Sequence, residues 1–155
     1  KQEFIYSDSL IEAEKSNMLF KHGCIATYGG KIIARGYNTH KYSTNDIFIE
    51  NQCSCHAEMN VLRKIYNRRK YNKRKLDRTM KKTKLYISRL SKTGSNNSAP
   101  CKKCLDMIKH YNIKKIIFNM DNKYYEYNSK EYNTEHKTFG DYNLIKINNT
   151  LKEQE

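Results

Sequence analysis

Two short segments far apart in the chain, Cys53-Ser54-Cys55-His56-Ala57-Glu58 and Pro100-Cys101-Lys102-Lys103-Cys104, gather thiols, an imidazole and a carboxylate that this lysine-rich sequence otherwise uses sparingly. Each stands at the start of an apolar helical pattern. If their donor atoms are to serve one metal ion, the fold must carry two separate helix beginnings to a single point. Few other requirements restrict a chain of this size as strongly.

The pattern around these segments is that of an α/β chain. Ser9 followed by Glu12 resembles a capping box, and Leu10, Ile11, Met18 and Leu19 supply an apolar side, so a first helix is predicted over about 8–21. In "GCIATYGGKIIARGY" two β-rich runs flank Gly29-Gly30, a hairpin signal because glycine accepts the positive φ of such a turn. Residues 38–54 read as a loop. A second helix begins near Cys55, with Ser54 as a candidate cap and Met59, Val61, Leu62 and Ile65 on its apolar flank.

Further on, "KLYISRL" reads as a strand and "SKTGSNNSAP" as a polar loop. Pro100, the only proline, stands just before a third helix from Cys101 to about Tyr111. "KKIIFNM" gives another strand, Asp121-Asn122 a turn, and "KYYEYN" a final strand. Strands alternating with helices predict parallel neighbours and a sheet covered on both faces. After Ser129 the pattern weakens, with a short element expected near Tyr142 to Ile147.

One domain suits 155 residues. No apolar run is long enough to span a bilayer, and five cysteines without a secretory leader fit a reducing, cytoplasmic setting, so a membrane role is not expected. Of the +14 net charge, most lies between Arg63 and Lys84, where twelve Lys or Arg face a single acid, Asp77. Such a block attracts RNA or other polyanions, although a solvated surface in a chain of Lys, Asn, Ile and Tyr bias accounts for it equally well. From about 66 to 82 the apolar pattern is thin, and a helix tail, an exposed loop or disorder is expected.

Taken alone, Cys101-x-x-Cys104 fits a redox pair, half of a structural zinc site, or chance. With His56-x-Glu58 and Pro100 it completes the ordered pattern H-x-E…P-C-x-x-C, a signature of zinc-dependent nucleobase deaminases. The chain resembles the cytidine and deoxycytidylate deaminase superfamily over about 8–120, through the hairpin, the loop into "HAEMNVL" and the strand that precedes "SAPCKKC". The resemblance implies a three-layer α/β/α fold with a mixed sheet of about five strands, in one domain spanning 1–155, with the basic insertion at about 66–82 and the tail at about 129–155 outside the match. It also implies substrate contacts from Asn38, the Ala57 N–H and the Pro100 carbonyl, and only weakly a homo-oligomer. The alternative for Asn38 is an ordinary turn residue.

Zinc held by the His56 imidazole and the Cys101 and Cys104 thiolates keeps a fourth position for water, whose pKa falls towards neutrality. Glu58, two residues from His56, reaches that water without being a ligand. It takes the water's proton, passes it to the ring nitrogen and later protonates the departing ammonia. A competing reading joins Cys53 and Cys55 to Cys101 and Cys104 in a closed structural site.

Cys24 reads as core filler, and His22, His40, His110 and His136 as ordinary surface or core histidines. Tyr124, Tyr125 and Tyr127 fit base stacking or simple strand alternation. The expected activity is hydrolytic deamination of a cytosine-type nucleotide or nucleoside, dCMP first. The alternatives are an RNA or tRNA base deaminase that uses Arg63–Lys84, and a noncatalytic zinc module that binds nucleic acid.

Overall fold

Residues 2–40, 54–91, 94–121 and 123–134 are described by this computed structural model. The hairpin forms as expected: Gly29 and Gly30 take φ of 57° and 80°, and this two-residue turn joins β1 (Lys21–Tyr28) to β2 (Lys31–Tyr37). Residues without Cβ adopt that turn at no steric cost. β5 (Thr83–Ser91), β7 (Lys115–Met120) and β8 (Lys123–Asn128) extend the sheet in the order β2-β1-β5-β7-β8, with β6 (Gly94–Asn96) beside β5. A separate two-stranded ribbon pairs β3 (Thr39–His40) with β4 (Ser54–Cys55).

The main sheet is mixed. β5 and β7 run parallel, which requires a crossover, and α4 (Lys102–His110) supplies it. The remaining pairs are antiparallel.

Alternation along the strands splits the apolar residues between two faces. Ile25, Tyr86 and Ile117 point to one side and meet Ile5 of α1 (Gln2–Glu14). Cys24, Ala26, Leu85, Ile87, Ile116 and Phe118 point to the other, beneath Val61, Leu62 and Ile65 of α2 (Ala57–Arg69) and Leu105 and Ile108 of α4. Three layers result, as the α/β/α expectation required. Among the described residues no helix is long and apolar enough to cross a membrane.

Short strands β3, β4 and β6 form in segments expected as loops or a helix start, and two longer elements also differ from the sequence expectation. The first helix starts and ends earlier than 8–21, and Ser9 lies in its interior with its hydroxyl donated back to the Tyr6 carbonyl rather than capping an N-terminus. Tertiary contact explains the register: α1 crosses β1 at Gly23, where an added Cβ would overlap the Ser9 carbonyl and stand 2.6 Å from the Ala13 nitrogen. Gly23→Ala is therefore expected to cost about 1–3 kcal/mol, as overpacking usually does. Thermal or urea unfolding checks this; an unchanged midpoint would show that α1 can shift freely.

Of the three expectations for the basic stretch, helix is the one that forms, as an element separate from α2 rather than as its tail. Asn72 accepts a hydrogen bond from the Lys75 N–H at 3.1 Å and caps α3 (Lys73–Lys82), which buries Leu76, Thr79 and Met80. Only three residues of this helix reach the core, yet their spacing places them on one face. The aromatic pattern of β8 also finds a packing explanation. Tyr125 and Tyr127 stack with Phe118, while Tyr124 points the other way onto Tyr6, with ring centroids 4.5 Å apart. The element expected near Tyr142 to Ile147 lies outside the described residues.

Candidate active site

α2 runs antiparallel to β2 and is fastened along it. Asn60 Nδ2 donates to the Tyr37 carbonyl at 2.6 Å, Lys64 Nζ to that of Arg35, and Arg68 to that of Ile33. Gly36 lets the first turn approach closely, because a Cβ there would press on Val61 Cγ2 at 2.9 Å and on the Ala57 carbonyl at 3.2 Å. The start of α2 is thereby held over the end of the sheet. The parallel β5-α4-β7 crossover delivers the start of α4 to the same place.

His56 immediately precedes α2 and Cys101 immediately precedes α4, both in extended backbone, and Cys104 lies in the first turn of α4. The His56 Nδ1 stands 3.0 Å from Cys104 Sγ and 3.6 Å from Cys101 Sγ. The three donor atoms all lie within 4.8 Å of one another. One imidazole and two thiols, the sulfurs buried, form a donor set of the kind tetrahedral zinc takes, with three protein ligands and one position left over. Among the described residues this is the cluster able to hold a metal; Cys53 and the Cys55 side chain lie outside them.

Electrostatics match that use. Cys101 is held down to about 4, first by the hydrogen bond from the Cys104 thiol and further by the His56 ring, against its own burial. Cys104 is pushed well up, first by that same hydrogen bond and then by burial.

Glu58 is the second residue of α2 and is 4% exposed. Burial raises its carboxyl above the usual range, the His56 ring opposes the shift, and the Cys101 charge adds to it. The carboxyl thus lies buried beside the donor cluster but outside it. Cys24 lies close enough for the Glu58 charge to act on it. Its thiol is raised well above normal, mainly by burial, so it stays protonated and inert.

Ala57 and Pro100 are buried beside these groups. Asn38 is buried too, but its amide is engaged by the backbone around it. Oδ1 accepts from the His22 N–H at 2.8 Å, and Nδ2 donates to the Phe20 carbonyl at 2.6 Å and to Met18 Sδ at 3.3 Å.

The sequence did not single out His22 and Arg89 as a pair. His22 and Arg89 face each other in register across β1 and β5, on the same face as the Cys24 and Ile87 pair. The period-two alternation of both strands carried that signal; the pairing of two distant strands was what the sequence concealed. The basic segment lies elsewhere. Arg68, Arg69, Lys75 and Arg78 line a concavity of about 240 Å³ over Ile33 and Ile65, at the far end of α2 from His56.

The family model describing the cytidine and deoxycytidylate deaminase zinc-binding region matches residues 1–120. No curated protein matches. Among solved structures, a dCMP deaminase from the cyanophage S-TIM5 in apo form superposes with a TM-score of 0.51 at 24% identity, covering 74% of this chain and 79% of that one. A cytidine deaminase from Burkholderia pseudomallei gives a TM-score of 0.60 at 14% identity, covering 84% and 94%. These identities speak to the fold. The family match together with the His56, Cys101 and Cys104 cluster speaks to the metal, and the chain belongs to the zinc-binding cytidine and deoxycytidylate deaminase family.

Proposed function

We propose that this protein hydrolytically deaminates a cytosine nucleotide, with dCMP as the first substrate, converting it to the uracil form and ammonia. The observation that carries the reading is the buried Glu58 carboxyl beside the convergent His56, Cys101 and Cys104 donors. His56, Cys101 and Cys104 would hold the ion. When bound, zinc supplies a Lewis acid that makes water nucleophilic near neutral pH.

The chain's own residues do the rest. Glu58 takes a proton from the attacking water and delivers it to N3 as the oxygen adds to C4 of the ring. It then moves the second proton from that oxygen to the exocyclic amine, so that the C4–N4 bond breaks and ammonia leaves. The Ala57 N–H, at a helix start, would hold the ring carbonyl, and the Pro100 carbonyl would accept from the exocyclic amine. Asn38 supports the wall on which the sugar rests, with a remaining Oδ1 lone pair available to it. A phosphorylated substrate suits a chain of net charge +14.

The test is ammonia release from dCMP, dCTP, cytidine, deoxycytidine and cytosine by zinc-loaded protein. Turnover led by dCMP is expected. Turnover of none of them defeats the proposal.

A further inference from the structure

We infer that Arg89 reads the substrate's phosphate and so sets the preference for a nucleotide over a nucleoside; this rests on the cytosine-nucleotide reading above. The inference starts from an unfulfilled group. Arg89 Nε is buried and has no hydrogen-bond partner among the described residues. No carboxylate among those residues pairs with its guanidinium either. A guanidinium presents its N–H groups in a planar fork, and it is retained in a half-buried position at a cost unless an anion comes to it.

Its location gives that anion a place. Along the face of the sheet beneath α2, the pairs Ala26 with Leu85 and Cys24 with Ile87 are apolar, and the next pair is His22 with Arg89. Cys24 already feels the Glu58 charge. Same-face positions on a strand are roughly 7 Å apart, so Arg89 stands one such step beyond the residues under the reacting centre. A pyrimidine ring held against Glu58 has its sugar and phosphate to extend towards this end.

The orientation of the guanidinium is restrained as well. Its central carbon sits 4.8 Å from the centroid of the Phe20 ring, and Phe20 is itself held through its carbonyl by Asn38 Nδ2. Phe20 remains 46% exposed, which leaves the stacked pair open at the mouth. A planar cation fixed on an aromatic face with an unused N–H is suited to bidentate contact with a phosphate.

The experiment compares kcat/KM for dCMP and for deoxycytidine in the wild type, Arg89→Met and Arg89→Lys, with zinc content and thermal midpoint measured alongside. In Arg89→Met the preference for dCMP over deoxycytidine is expected to fall by roughly 10–100-fold, mainly through KM for dCMP, since uniform binding energy is what the fork supplies. Arg89→Lys, which keeps the stem and the charge but loses the fork, should recover part of it. A preference that stays unchanged while both substrates fall together overturns the inference and makes Arg89 a brace for Phe20.

If Arg89→Met fails to fold or to hold zinc, the Lys variant decides by the same ratio. A wild type that turns over no cytosine substrate sinks the deaminase reading. The calorimetric affinity for dUMP relative to deoxyuridine then still tests Arg89: a preference abolished in Arg89→Met supports the phosphate contact, and one retained in full overturns it.

Discussion

Glu58→Gln is expected to lower turnover of the best cytosine substrate by about 10²–10⁴-fold, the range associated with a positioned general acid–base group, while the protein keeps its zinc. Glutamine has nearly the shape of glutamate and retains an acceptor oxygen, but it cannot accept the water's proton or pass it on. The candidate metal donors are His56, Cys101 and Cys104, so the substitution leaves that set whole. Folding should not suffer. Glu58 is buried and its carboxyl is pushed up chiefly by desolvation, so a neutral amide removes a charge the interior disfavours. Steady-state kinetics, metal content and thermal midpoint on one preparation separate the outcomes. Turnover near wild-type level in a zinc-loaded Gln variant would remove Glu58 from the mechanism and favour a noncatalytic zinc fold.

Cys104→Ser should act one step earlier, on the metal itself. Its sulfur is fully buried and 3.0 Å from the His56 ring nitrogen. A serine hydroxyl does not ionise near neutral pH and is a poor substitute for a soft thiolate ligand. Zinc content is expected to fall from about one per chain to near zero at submicromolar free zinc, because metal affinity depends on every deprotonated ligand. Activity should vanish with it. The thermal midpoint should fall as well, because an ion bound only by the folded chain stabilises it by mass action. Elemental analysis and calorimetry read both effects, and exhaustive chelation of the wild type should reproduce them. Full zinc retention in Cys104→Ser would mean that other donors hold the ion.

These two experiments probe residues that the combined pattern of His56-x-Glu58 with Pro100-Cys101-x-x-Cys104 made legible. Cys101 and Cys104 stand three apart at a helix start, a spacing that keeps side chains on one face, and His56 is the extended residue just before the helix that carries Glu58. The Gly29-Gly30 hairpin was legible for a similar reason, since its positive φ values are a property of two adjacent residues. The helix over 73–82 was legible only as one of three alternatives. Asn72 is a recognisable cap and Leu76 and Met80 a recognisable pair, but so few apolar residues among so many cations gave little weight to a helix until α2 and the sheet offered a surface to cover. α1 shows the opposite failure. Ser9 and Glu12 imitate a helix beginning, and the contact with Gly23 shows them to be interior residues.

Local sequence thus specified the candidate donor atoms, the carboxylate beside them and the turn, because each depends on neighbours a few positions away. Assembly of the pocket needed the strands to pair. Only the β1–β5 register places His22 opposite Arg89 and both beyond Cys24. The parallel crossover through α4 brings the sulfurs to the imidazole, and the packing of α2 on Gly36 takes Glu58 out of water. Those relations join residues that are remote along the chain, and register between remote strands is set by the burial of whole faces, which no short window of sequence contains.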